Sequence, residues 1–207
     1  MSTPATDWAA LYAATLDALA DLTAGRPESD ADRVVPATPA WSVRQVLAHL
    51  AGTASDMTTG RMDGAPGDKW TARHVSERDG ASIGELLGEL EATRPAVEAI
   101  APKASAAVFN TVVHHADLTE ALDADQQADG LWSPVVEALR GRWSTLPLRL
   151  DSDPVPEVPA ASVPVDGYLL SRALFTRLTR ADLVALTAGR LTDEQIDTLG
   201  FFGPPTR

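Results

Sequence analysis

The sequence predicts a mainly α protein: a four-helix bundle over residues 1–125, followed by a smaller α+β or helical C-terminal portion over 126–207. Three observations lead there. Apolar residues recur at helical spacing in four successive segments before residue 125. Two of those segments open on capping boxes, in which a serine hydroxyl and a Glu or Gln side chain satisfy the free backbone donors of a first turn. Beyond them the pattern changes to a short alternating run and a proline-rich stretch, with no repeat at a fixed period.

The first helix is expected over 7–24, where Trp8, Leu11, Ala18, Leu19 and Leu22 share a face and Gly25-Arg26-Pro27 ends the pattern. Residues 26–41 are polar and read as a connection. Ser42-Val43-Arg44-Gln45 opens the second helix, whose buried stripe is Val43, Val46, Leu47 and Leu50. The Gly-, Asp- and Arg-rich residues 60–81 predict a long loop, or a loop with a short helix. Ser82-Ile83-Gly84-Glu85 opens the third helix, carried on by Leu86, Leu87, Leu90 and Val97, with Pro95 as a kink or an early end. The fourth runs over roughly 104–123 through Val108, Val112, Leu118 and Leu122.

In the remainder, 132–143 suits a further helix and 146–153 alternates like a short strand. Residues 154–164 hold four prolines, which favours an extended connector or edge segment. From Gly167 to about Thr187 the pattern is one apolar helix ended by Gly189, and Thr192-Asp193-Glu194-Gln195 opens a last short one.

Composition narrows function. The net charge of −12 and a pI near 4.6 disfavour nucleic acid and anionic membrane surfaces as partners. No apolar run approaches a membrane span, and MSTPATDW lacks the marks of a secretory leader, so the expected location is cytoplasmic. With no cysteine, any thiol chemistry must use a thiol brought by a ligand. Dinucleotide, Walker, nucleophile-elbow and H-E-x-x-H signatures are all absent.

Four histidines remain as candidate ligands: His49, His74, His114 and His115. His49 falls at the margin of its helix's apolar stripe, where a side chain can lean between helices. Asn110 and His114 lie one turn apart on one face, and Asp117, three residues beyond, can orient an imidazole through its other nitrogen. Periodicity from Val108 puts His115 rather than His114 on the inward stripe, so the two stay open as alternatives. His74, in the polar stretch, reads as solvated. Trp8 and Trp41 read as core anchors, and Arg44 and Arg61 either receive a carboxylate or only solubilise.

The segment Pro39-Ala40-Trp41-Ser42-Val43-Arg44-Gln45-Val46-Leu47-Ala48-His49-Leu50-Ala51-Gly52 resembles a signature of the mycothiol-dependent maleylpyruvate isomerase family, a branch of the DinB-like metal-binding four-helix bundles. That signature is Pro, a tryptophan, then Ser/Thr-Val-Arg-x-Leu-Leu-Ala-His-Leu-Ala-Gly. Val112-Val113-His114-His115-Ala116-Asp117 is similar to its second signature, Val-His-Gly-Trp-Asp with a glutamate four residues before the histidine. Ser82–Leu90 resembles the family's third helix, and the likeness covers about residues 5–125.

The resemblance implies a divalent metal, zinc first and nickel or manganese as alternatives, held by His49 and His114 with position 110 as third ligand. It implies mycothiol as thiol cosubstrate, a small-molecule electrophile or thiol as partner, and isomerase or S-transferase chemistry; a monomer or homodimer is expected. Arg44 and Arg61 are then the candidates for cofactor binding. Position 110 is asparagine where the family has a carboxylate, and Ala116 stands where it has tryptophan. Both departures motivate an alternative: a catalytically degenerate bundle that binds a ligand or partner.

Overall fold

The Asp7 carboxylate accepts from the Ala10 amide at 3.0 Å and starts α1 (Trp8–Thr23). In the computed structural model, which describes residues 6–153 and 162–205, five helices make up a first compact unit, Met1–Gln127. The Ser42/Gln45 capping box starts α2 (Val43–Thr59), and Gly60 ends it in the left-handed region at φ 79°, where a side chain would be strained. The Ser82/Glu85 box likewise starts α4 (Ile83–Ile100), and α5 (Ser105–Ala121) closes the set.

Helices α1, α4, α2 and α5 form the bundle: α1 packs on α4 and α5, and α2 packs on the same two. Pro95 does not end α4, which continues to Ile100. The stretch 60–81 contains a ten-residue helix, α3 (Asp68–Glu77), laid against α2 outside the four. Helix α5 is buried nearly all round, because α1 covers one side and α2 another.

The second unit, Ala128–Arg207, is a small α+β assembly. It holds α6 (Asp129–Ala138), the single turn α7 (Arg140–Trp143), strands β1 (Leu148–Leu150) and β2 (Val163–Val165), α8 (Gly167–Leu174), α9 (Arg180–Leu186) and α10 (Asp193–Leu199). The strands pair in parallel, Leu148 with Val163 and Leu150 with Val165. Pro164 lies within β2, and in a two-stranded ladder each strand keeps an edge that tolerates the missing N–H. The remaining prolines of the 154–164 stretch lie outside the described residues. Helices α6 and α8 pack together, and Gly167 makes room for the Trp132 ring, which a Cβ would meet at 2.4 Å.

The single helix expected from Gly167 to Thr187 is two. Thr176 turns into the left-handed region at φ 58°, and a Thr179/Asp182 capping box restarts the chain as α9. Among the described residues, no helix is long and apolar enough to cross a membrane.

Candidate metal centre

Helix α2 presents His49, Gly52 and Asp56 along one face, at spacings of three and four residues. Helix α3 lays His74 across that face. A Cβ on Gly52 would fall 2.3 Å from His74 Cγ and 2.5 Å from its Cβ, so only glycine admits the imidazole here. His74 is therefore not a solvated loop residue: it is 0% exposed, on a helix, because the missing side chain at position 52 leaves a slot for it. Its Nε2 lies 2.9 Å from Asp56 Oδ2, and its Nδ1 lies 3.4 Å from His49 Nδ1.

Asp56 is buried and also accepts from the Arg73 guanidinium, with Arg61 Nε at 3.7 Å. Burial pushes its carboxyl upward, but the hydrogen bonds from His74 and Arg73 outweigh this and hold it below the usual carboxylate range. Burial likewise lowers the His74 imidazole, only partly offset by Asp56. At neutral pH the pair is a carboxylate beside a neutral ring.

From α5, Asn110 and His114 face the same space. Asn110 Oδ1 is 3.4 Å from His49 Nε2, and the His49 and His114 ring centres are 5.4 Å apart at 79°. His114 Nδ1 lies 2.9 Å from Oδ2 of the fully buried Asp117. A neutral His114 donates its Nδ1 proton to that carboxylate and carries its lone pair on Nε2.

Two tryptophans wall the cluster. Backbone bonds from Val35 N to Trp41 O and from Val43 N to Arg33 O, each 2.9 Å, fold the segment before α2 back on itself. This sets the half-buried Trp41 ring 5.2 Å from His49 and 6.2 Å from His114. Trp70, one turn before His74 on α3, packs 4.1 Å from the His74 ring. Trp41 thus stands over the imidazoles as well as anchoring its segment.

The neighbouring His115 points the other way. Its Nδ1 accepts from Gln127 Nε2 at 2.9 Å, and it also bonds the Ala18 backbone of α1. Burial lowers its pKa to about 4, so it is a neutral structural strut. Of the α5 pair, His114 is the one beside His49.

A profile of the DinB superfamily matches residues 9–135, which contain every residue of this cluster. The chain belongs to the DinB superfamily. Neither the curated proteins nor the solved structures yield a match. Within this DinB unit the two arginines expected to receive a ligand are held by carboxylates. Arg44 bonds Glu28 at 2.9 Å and the Ala81 carbonyl, tying the start of α2 to the segments around it. Arg61 bonds Glu77 at 2.7 Å and backs Asp56.

A zinc–nitrogen bond of about 2.0–2.1 Å puts each imidazole centre roughly 3 Å from the ion, so two rings on one tetrahedral ion stand roughly 5 Å apart. The His49–His114 spacing of 5.4 Å fits that requirement. Asn110 turns its oxygen toward the histidines, and its buried Nδ2 has no hydrogen-bond partner among the described residues. Among the described residues, no three His, Asp or Glu side chains form a ready ligand group. Two histidines and the neutral Asn110 are the donor set that remains. Sequence reasoning missed His74, Asp56 and Gly52. Their signals are the His49/Gly52/Asp56 spacing on α2 and the Trp70/His74 pair one turn apart on α3.

Proposed function

We propose that the DinB unit holds a divalent cation between His49, His114 and Asn110 and uses it to activate a low-molecular-weight thiol. Zinc is the first choice, with nickel or manganese as alternatives. The reaction type is that of the mycothiol-dependent isomerases and S-transferases, with mycothiol as thiol and a small electrophile as substrate. The observation that carries this reading is the His49–His114 approach, at 5.4 Å, with Asp117 holding the far nitrogen of His114.

A cation bound there would lower the pKa of a thiol that joins it, supplying thiolate at neutral pH. The chain's own residues do the rest. Asp117 keeps the His114 lone pair on Nε2, Trp41 covers the two rings, and Trp70 closes the side toward α3. No protein cysteine competes with the incoming thiol. Isothermal titration of the chelator-stripped protein with zinc, nickel and manganese tests this: one equivalent binds to the wild type and none to His49→Ala. Unchanged stoichiometry in His49→Ala overturns it.

Asn110 favours a second reading, a bundle that has lost catalysis and binds a ligand or partner. A neutral amide offsets none of the cation's charge, which weakens retention. Untagged protein with sub-stoichiometric metal, and a melting temperature unmoved by chelator, selects that reading.

A further inference from the structure

His74 has no role in the proposed ligand set, although it is fully buried and bridges Asp56 and His49. Counting protons along that bridge assigns it one. The ionised Asp56 only accepts, so the His74 proton lies on Nε2, 2.9 Å from Asp56 Oδ2. A neutral His74 then has a lone pair on Nδ1. At 3.4 Å from it, His49 Nδ1 supplies the proton that makes this contact a hydrogen bond. His49 thereby carries its own lone pair on Nε2, the nitrogen that faces Asn110.

We propose that the Asp56–His74 pair, seated in the slot that Gly52 leaves open, is a positioning relay that fixes His49 as its Nδ1–H tautomer. This is the less common tautomer of a neutral histidine in water, so the surroundings must impose it. The His74 ring is sealed beneath α2 and α3, whereas His49 and His114 each keep a small exposed fraction, 7% and 6%, and Asn110 is half-buried. His74 therefore acts from behind His49, through its proton, and is not a ligand.

The relay also involves the Asn110 amide. The proposed tautomer requires the Asn110 amide to turn its NH₂ toward His49 Nε2 in place of the Oδ1 that stands there at 3.4 Å, which would also give the otherwise unpartnered Nδ2 an acceptor. With a cation, the amide presents its oxygen. The relay itself concerns the metal-free protein; only its effect on affinity rests on the metal reading above.

The test is long-range ¹⁵N–¹H correlation of ¹⁵N-histidine-labelled, chelator-stripped protein at about pH 8, where an ordinary histidine is neutral. The wild type is expected to show protonated Nδ1 in His49 and protonated Nε2 in His74. His74→Gln keeps a partner for Asp56 but removes the acceptor for His49; the His49 tautomer then mixes or reverts to Nε2–H. Cobalt(II), followed by its visible absorption, then binds roughly 10–100-fold more weakly, the usual effect of losing a group that orients a ligand. His74→Asn places an amide oxygen where Nδ1 was and restores both readouts in large part. Gly52→Ala displaces the ring without removing any titratable group, so it reports the same change if His74→Gln does not fold.

Protonated Nε2 in wild-type His49, or an unchanged tautomer in His74→Gln and Gly52→Ala, overturns the relay. So does complete loss of stoichiometric cobalt in His74→Gln, which would make His74 a ligand. A wild type with the expected tautomer that binds no cobalt, zinc, nickel or manganese upholds the relay and removes the metal reading instead.

Discussion

Two glycines in bundle helices supply a measurement of how tight the His74 slot is. Gly88 lies on the exposed side of α4, and a Cβ built there meets nothing within 4 Å. Gly88→Ala gains only helix propensity and stabilises the unit by about 0.5–1 kcal/mol. Gly52→Ala gains the same propensity, but its Cβ lands 2.5 Å from the Cβ of His74 and 2.3 Å from Cγ. Those are root atoms of the side chain, so no rotamer of His74 escapes the clash and α3 itself must shift. Overpacking of this kind costs typically about 1–3 kcal/mol, and contact with root atoms argues for the upper part of that range. The two alanine variants should therefore differ by about 2–3 kcal/mol, with Gly52→Ala the less stable. Urea unfolding in excess chelator, followed by tryptophan fluorescence, measures the difference free of metal. If Gly52→Ala tracks Gly88→Ala within about 0.5 kcal/mol, the slot is loose and the packing argument for His74 fails.

Acid should unfold the bundle through His115. Its folded pKa of about 4 lies below the unfolded value of about 6.5, so the unfolded chain binds more protons between them. Stability is then complete above about pH 6.5 and falls by up to about 3 kcal/mol as the pH drops toward 4; the lowered pKa of His74 acts in the same window, and that of Asp56 only below about pH 4. Urea midpoints of wild type and His115→Leu across that range check this, and equal slopes would contradict it. Asn110→Glu returns a carboxylate to the ligand set and should tighten zinc at least about tenfold by calorimetry. Equal affinity would place the position 110 side chain away from the ion. Asp117→Asn replaces the charged acceptor of the His114 Nδ1 proton with a neutral amide and should weaken zinc about 10–100-fold, while the far-ultraviolet circular dichroism stays unchanged.

The bundle was legible because its helices announce themselves. Ser42/Gln45 and Ser82/Glu85 are capping boxes both in sequence and in space, and single apolar stripes mark α1 and α2. His49 was legible through its motif. His114 was likewise singled out by its motif, whereas helical spacing alone pointed to His115, and the reason is physical. A helical wheel assumes one buried face, but α5 is covered by α1 on one side and α2 on another, so both histidines are buried and each serves a different neighbour. Helix α3 was expected only as one alternative, a short helix within a loop, for the opposite reason. It buries only Trp70 and His74, too little apolar surface to raise a stripe above its charged residues. The break between α8 and α9 was written at Thr179-Arg180-Ala181-Asp182, whose capping box was hidden inside a run apolar enough to look continuous.

The asparagine at position 110 changes where the negative charge of the proposed centre resides. In the pattern that the two signatures resemble, a carboxylate would touch the cation directly. Here the two imidazoles and the amide are neutral, while the carboxylates stand one residue behind: Asp117 bonds His114, and Asp56 reaches His49 through His74. Charge at that remove stabilises the imidazoles as ligands and fixes their protons, but it cancels less of the cation's own field. A cation held in such an arrangement would be bound less tightly and would polarise an incoming thiol more strongly, since a less neutralised cation lowers the pKa of its ligand further. Weak retention and strong activation would then be linked consequences of one substitution. Asn110→Glu should move them in opposite directions, tightening zinc while raising the pH at which a bound thiol ionises. A variant that tightened zinc and left that pH unchanged would show that the charge of residue 110 does not reach the thiol.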